Sequence, residues 1–273
     1  MAVIGHVEWV TFARIDHLPS VGEIVHASEW WDVPAGGGAA AAVQLTKLAP
    51  TASFYTALAD DDLGHRAAAE LTQLGVEVHA VFRPTSSRRA LTHVDADGER
   101  TITVLGERLG PHGDDPLPWE ELDGRDGVYF TAGDEAALTH ARRARVLVAT
   151  PRAGRVLGSA GVQLDALVAS ALDPAESYSP GDIEPPPNLV VKTEGKRGCS
   201  IEYRDGRMQR FEAPPLPGPP VDRYGAGDAF AACLTFGLAR GDDPSAAVAL
   251  AARCGAAVIT GRGPYESQLT NPD

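Results

Sequence analysis

Cysteine is scarce in this sequence: Cys199, Cys233 and Cys254 are the only three in 273 residues. They form no CxxC pair and no even-numbered framework, so a disulfide scaffold is not indicated and all three read as reduced, mostly structural thiols. Long apolar runs are also lacking, and nothing approaches the roughly 20 residues that a membrane helix needs. The opening MAVIGHVEWV has no basic region followed by an apolar one, so no signal peptide is visible. Positive charge is in deficit, with 24 Lys and Arg against 37 Asp and Glu, a net charge of −13 and a pI near 5.0. That balance argues against nucleic acid or an anionic membrane as a partner. It leaves a phosphate-bearing ligand open, because helix N-termini and glycine loops bind phosphate without a basic surface. His6, His17, His65, His93 and His140 show no HxH or HExxH spacing, which speaks against zinc. These absences leave a cytoplasmic α/β protein as the expectation.

Short apolar segments alternate with helical ones along most of the chain. SFYTALA, GVYFTA, VLVAT, ALVAS and NLVVKTEG read as buried strands, and AVIGHVEWVTF as a strand that leaves the core as a polar extension. Helices are expected over 39–49, 65–74, 135–145, 226–240 and 244–260. Two hairpins are marked by Asp97-Gly98 and Asp205-Gly206. The pattern predicts a mostly parallel sheet covered on both faces. One domain over 1–273 is expected, with β-rich appendages near 11–35 and 88–105.

The strongest local motif is Val221-Asp222-Arg223-Tyr224-Gly225-Ala226-Gly227-Asp228-Ala229-Phe230, running into the small-residue helix AACLTFGLARG. Glycines at 225 and 227 allow a tight turn, and a helix starting there offers its unpaired amides and positive end to an anion. Asp228, in the first turn, is placed to accept a proton from an attacking hydroxyl. Neither common nucleotide motif is present. Phe230 takes the third glycine's place in a GxGxxG pattern, and Val190 stands where a Walker motif ending in Gly195-Lys196 would need glycine.

DRYGAGDAFAACLTFGLARG resembles the C-terminal signature of the PfkB/ribokinase family, D-T-x-G-A-G-D-x-F. In family order, Gly36-Gly37-Gly38 resembles the N-terminal double-glycine signature and Ala57–Gly64 the G-x-D-x-x-G segment. HVDADGERTITV is similar to the lid strands bearing D-G-x-R, and VVKTEGKRGCSIEYRDG to the T-x-G-x-x-G strand and turn. The resemblance spans nearly the whole chain and implies a ribokinase-like three-layer α/β/α sandwich with a small β-sheet lid.

It also implies ATP-dependent phosphoryl transfer to a hydroxyl of a small sugar or sugar-like acceptor, with Mg²⁺ as cofactor. Asp228 would be the catalytic base, and the amides of Gly225, Ala226 and Gly227 the anion hole. Thr193 and Gly195 match positions lining the nucleotide. Glu176, in Asp173-Pro174-Ala175-Glu176, matches the N-x-x-E motif linked to Mg²⁺ through water. Asp222 matches an acidic position that assists a monovalent cation in many members. Tyr224 replaces the small residue usual two places on, which speaks against potassium dependence.

The acceptor side departs from the family pattern. An Asp expected after the first strand is missing from Gly5-His6-Val7-Glu8-Trp9-Val10-Thr11, with Glu8 the candidate substitute. Ala41 stands near the usual Asn, and Thr150 at a strand end where Asp is common. Gly36, Gly37, Gly38 and Glu8 are therefore the expected acceptor-binding residues. Arg88 and Arg89 enter the lid and could reach a substrate phosphate, but the acidic chain favours an unphosphorylated acceptor. Trp9, Trp30 and Trp31 allow the alternative of a nucleoside kinase, with a ring stacked on indole. Loss of the acceptor Asp and Asn motivates a contrasting class, a sugar- or nucleotide-binding regulatory protein without turnover. Exposed lid residues such as Trp30, Trp31 and Val33 suggest a homodimer through the lid.

Overall fold

Apolar residues occupy both faces of the parallel strands, and that two-sided burial organises the molecule. The computed structural model describes residues 1–270. Its strands are β1 (Ala2–Ile4), β2 (Glu8–Arg14), β3 (Glu29–Ala35), β4 (Ser53–Ala59), β5 (Glu77–Arg83), β6 (Arg89–Val94), β7 (Arg100–Leu105), β8 (Gly127–Phe130), β9 (Val146–Ala149), β10 (Ala166–Ser170), β11 (Leu189–Thr193), β12 (Cys199–Tyr203) and β13 (Met208–Phe211). The helices are α1 (Gly37–Thr46), α2 (Asp62–Gln73), α3 (Glu135–Ala141), α4 (Val156–Ser159), α5 (Ala226–Arg240) and α6 (Pro244–Val258).

Nine strands form the large sheet, in the order β13-β12-β11-β10-β9-β8-β1-β4-β5. It is parallel from β5 through β11, and the β12–β13 hairpin adds an antiparallel edge. Val3, Phe54, Tyr129 and Val148 pack on one face with α1, α2, α5 and α6. Ile4, Tyr55, Phe130 and Leu147 pack on the other with α3 and α4. Such two-sided burial is what a parallel sheet requires.

From β1 the chain moves outward through β4 to β5, then returns to fill the other side from β8 to β11. The crevice beyond the carboxyl ends of β1 and β8 is thus a topological switch point, where open α/β sheets bind ligands.

The second sheet runs β3-β2-β6-β7, with β2 and β6 parallel and both flanking pairs antiparallel. Its apolar face contains Val10, Phe12, Ala35, Ala90 and Val94, closed by Tyr224 from the large domain layer. The Asp97-Gly98 turn joins β6 to β7 as expected, and Arg100 donates to the Arg223 carbonyl at 2.9 Å. The hairpin therefore docks beside the glycine signature.

Four expectations change. The first apolar run is two strands: β1 ends at Ile4 and β2 starts at Glu8, three residues before the expected lid boundary. Most of β2 is buried rather than a polar extension, because the small sheet has its own core. Helices begin or end a few residues from the expected limits; α3 stops at Ala141 and α6 at Val258. Cys233 and Cys254 are joined as a disulfide between α5 and α6, and only Cys199 is a free thiol. The odd count had concealed a pair that helix packing brings together. No helix among the described residues is long and apolar enough to cross a membrane.

Asp61 ties the two sheets together. Its carboxylate caps α2 by accepting from the Gly64 amide at 2.8 Å, and also accepts from the Ser87 amide at 2.7 Å and hydroxyl at 2.6 Å. Ser87 leads directly into β6, so one side chain fixes both a helix start and the approach to the small sheet. Replacing Asp61 with Ala is expected to lower the unfolding free energy by about 0.5–2 kcal/mol, the range for losing an N-cap. Asn should recover part of that loss, and urea denaturation of both variants checks it.

Candidate active site

Expected and unassigned residues line the carboxyl ends of the parallel strands. Of the expected ones, Glu176 follows β10 with Asp173, and Gly195 follows β11; His6 after β1, Thr131 after β8 and Arg152 after β9 join them. Above them stand the N-termini of α1 and α5, which pack against each other.

Gly225 starts α5 with a left-handed φ of 82°, and no side chain caps this end. The first amides of the helix consequently have no helical acceptor. A side chain at Gly227 would meet nothing within 4 Å, so this end opens outward. The triple glycine has a different reason at each position. Gly36 has φ 91°, a Cβ on Gly37 would lie 2.8 Å from Asp228 Oδ1, and one on Gly38 would lie 2.8 Å from the His6 carbonyl oxygen. The Asp228 carboxylate thus nests against the start of α1 while belonging to the first turn of α5.

Asp228 is partly accessible but densely surrounded by protein. Burial, reinforced by the negative charge of Glu176, pushes its carboxyl up to about 6; Arg152 and Arg100 pull the other way. A carboxylate with that affinity is ionised at neutral pH yet basic enough to take a proton. Arg152, whose importance the sequence did not reveal, binds both Glu176 and Asp173 through its guanidinium. Asp173 also caps the turn that presents Glu176, accepting from the Ala175 amide at 2.9 Å. Thr150, at the end of β9, caps the turn carrying Arg152.

Asp222 is fully buried and accepts from the amides of Tyr224, at 2.8 Å, and Gly263, at 3.1 Å. Burial raises its carboxyl above the usual range against those two amides. The Tyr224 ring meets Phe12 edge-on at 5.0 Å, and its hydroxyl accepts from the Gly36 amide at 3.1 Å. This one side chain links signature loop, glycine turn and small sheet.

Glu8 lies beside Gly36, with Oε1 2.6 Å from Arg88 Nε and 3.5 Å from His6 Nε2. Burial pushes Glu8 up, but His6 and Arg88 overcome it and leave the carboxyl below its usual range. His6 is held below the ordinary imidazole range, chiefly by burial. The positions of the missing polar groups are apolar and enclosed: Val10 belongs to the small-sheet core and Ala41 to the core beneath α1. Of Trp9, Trp30 and Trp31, two already have partners. Trp9 is buried under Arg66 at 4.4 Å, and Trp31 stacks on Phe12 at 4.9 Å with Arg262 on the ring at 4.0 Å. Trp30 is exposed.

Thr193 ends β11 with its hydroxyl 3.3 Å from the Ala169 carbonyl, and Gly195 has φ 59° in the turn that follows. β11 and β1 are four places apart in the sheet, roughly 19 Å at about 4.8 Å per strand. Thr193 and Gly195 are therefore separated from His6 and Glu8, with the Arg152–Glu176 pair following strands between them. Sequence inspection missed His6, Arg152 and the second bond of Tyr224. Thr150 marked the right strand end, and Arg152 is two residues further on.

The family model of pfkB family carbohydrate kinases matches residues 1–179 and 175–271. The chain is 28% identical over 279 residues to the ATP-dependent ribose-1-phosphate kinase of Halopiger xanaduensis, covering 92% of this chain and 89% of that protein. The ribokinase of Bacillus subtilis is 27% identical over 273 residues, covering 93% and 90%. Ribokinase from Giardia lamblia superposes with a TM-score of 0.77 at 17% identity, covering 98% of this chain and 95% of that one. Ribokinase from Cryptococcus neoformans in complex with ADP gives 0.74 at 19% identity, covering 98% and 96%. The structures establish the ribokinase fold, and the family match over both halves establishes the rest: this chain belongs to the pfkB family of carbohydrate kinases.

Proposed function

We propose that this protein transfers the γ-phosphate of ATP to a hydroxyl of a small sugar or sugar-like acceptor. The observation that carries the reading is the placement of Asp228, a carboxylate of raised basicity at the junction of two helix N-termini. Asp228 accepts the proton as the acceptor oxygen attacks, and the amides of Gly225, Ala226 and Gly227 stabilise charge on the transferring group. Preorganised donors of this kind cost no reorganisation during reaction. Thr193 and Gly195 line the nucleotide at the far side of the sheet.

The carboxylate of Glu176 suits a magnesium ion, which takes oxygen donors, retains several waters and commonly uses only one or two protein carboxylates beside the phosphates. Bound there, the ion would neutralise phosphate charge. Arg152 holds Glu176 in place and supplies positive charge near the base. The small sheet covers the acceptor and limits water, consistent with its docking beside the signature loop. Engagement of Trp9 and Trp31 by protein groups supports a sugar over a nucleoside acceptor.

The direct test is ADP release from Mg-ATP across a panel of sugars, sugar acids and nucleosides, with wild type and Asp228→Asn side by side. Acceptor-dependent turnover is expected, falling by roughly 10²–10⁴-fold in the variant, the scale of general base catalysis. Binding of ATP or sugar without turnover would identify a regulatory binding protein instead.

A pH profile tests the base independently. Asp228 acts in its ionised form, so the raised affinity means that activity is lost as pH falls through about 6. Log kcat/KM should therefore drop with unit slope below that point. Arg152 holds the Asp228 carboxyl down, so Arg152→Met should move the limb to higher pH. An unmoved limb in that variant would contradict the electrostatic link.

A further inference from the structure

The turn between β6 and β7 lands on the signature loop. Asp95 builds that turn: its carboxylate accepts from the amides of Asp97, at 3.0 Å, and Glu99, at 2.9 Å. Gly98 has φ 73°, and a Cβ there would stand 3.0 Å from the Val221 carbonyl oxygen. Glu99 Oε1 lies 2.8 Å from Arg223 Nε. Arg100 donates to the Arg223 carbonyl at 2.9 Å, with its guanidinium 6.0 Å from the centre of the Tyr224 ring. Consecutive residues of the small sheet thus meet Val221, Arg223 and Tyr224, just ahead of Gly225.

The contacts continue inward through Tyr224. Its amide donates to Asp222, its hydroxyl accepts from the Gly36 amide in a buried hydrogen bond, and its ring closes the small-sheet core. The peptide plane joining Arg223 to Tyr224 is therefore held at both ends, its carbonyl by Arg100 and its N–H by Asp222. That plane lies one residue before Gly225, whose left-handed φ of 82° opens α5. Glycine lets neighbouring peptide planes rotate, so the direction of the first amides of α5 depends on what holds the chain entering it. The outer half of this hold is polar and readily released. Every residue of β7 is exposed, exposed ion pairs are individually weak, and elements with few buried contacts open locally at low cost.

We propose that Arg100 and Tyr224 are positioning residues that make phosphoryl transfer depend on docking of the β6–β7 turn. Docked, the turn fixes the Arg223–Tyr224 peptide and, through it, the amides of Gly225, Ala226 and Gly227. Undocked, those amides lose their common direction and stabilise the transferring group less. Competence is thereby tied to covering of the crevice, which limits transfer to water. The inference rests on the phosphotransfer reading and adds a control on that same site.

The test is the single-turnover rate of phosphoryl transfer in Arg100→Met, Arg100→Lys, Tyr224→Phe and the Arg100→Met/Tyr224→Phe double variant. Tyr224→Phe removes one oxygen and leaves the ring in its core. Arg100→Met and Tyr224→Phe should each lose about 10- to 100-fold, the scale of slightly misplaced reacting groups, while KM for ATP holds steady. Arg100→Lys should recover part of the loss, because an ammonium still donates to the Arg223 carbonyl. The double variant should be little slower than the slower single one, since both break one chain of contacts. Losses that multiply would show two independent effects and overturn the coupling. Wild-type rates in either single variant, or a defect confined to KM for ATP, would overturn it while leaving the kinase reading intact.

Amide hydrogen exchange over 221–229 judges the coupling separately from turnover. Exchange there should quicken in Arg100→Met and stay unchanged in the large sheet. Unchanged exchange in the loop would refute the role of the turn, and faster exchange throughout would overturn it by making Arg100 a general stabiliser. Absence of turnover in wild type, with the loop response intact, would contradict only the kinase reading.

Discussion

The contact between the Asp228 carboxylate and the backbone at Gly37 is the constraint on which the site depends. Two helices begin at this point, one from each end of the chain, and both direct unpaired amides toward the same crevice. The carboxylate fits because position 37 has no side chain; a Cβ there would stand 2.8 Å from its oxygen. Gly36 adds the turn, and its amide is held by the Tyr224 hydroxyl, whose ring completes the small-sheet core. Asp228, the start of α5 and the small sheet are therefore positioned by one short set of contacts.

Electrostatics divides the crevice into unequal parts. Around Asp228, burial and Glu176 raise proton affinity while Arg152 and Arg100 restrain it, leaving a carboxyl above its usual range. Toward β1, Arg88 and Arg108 surround Glu8 and His6, a positive environment within a strongly acidic chain. Local geometry outweighs net charge here because screening leaves nearby, partly buried charges in control. Arg152 joins the two parts: its guanidinium engages Glu176 while its carbonyl accepts from Arg108.

Much of the architecture was legible because its signals are local. Strand and helix alternation followed from apolar runs, and the Asp97-Gly98 and Asp205-Gly206 turns marked hairpins that the structure contains. Asp228 and its glycines lie within four consecutive residues, so their geometry could be inferred from one turn. His6, Arg108 and Arg152 were harder, since they come from β1, the loop after β7 and the end of β9, and meet only through strand order. The Cys233–Cys254 pair was hidden for the same reason: 21 residues separate two cysteines that face each other across α5 and α6. The protein partners of Trp9 and Trp31 were not legible either, because sequence does not show that Arg66, Phe12 and Arg262 lie against them.

The most direct measurement of the central claim is the single-turnover rate of phosphoryl transfer in Gly37→Ala, with both substrates saturating. The added methyl must displace the Asp228 carboxylate, and misplacement by about 1 Å can cost roughly 100-fold in rate. The account predicts a loss of that order in the chemical step with little change in ATP affinity or melting temperature. A wild-type rate in this variant would show that close approach of the base to the start of α1 does not govern catalysis.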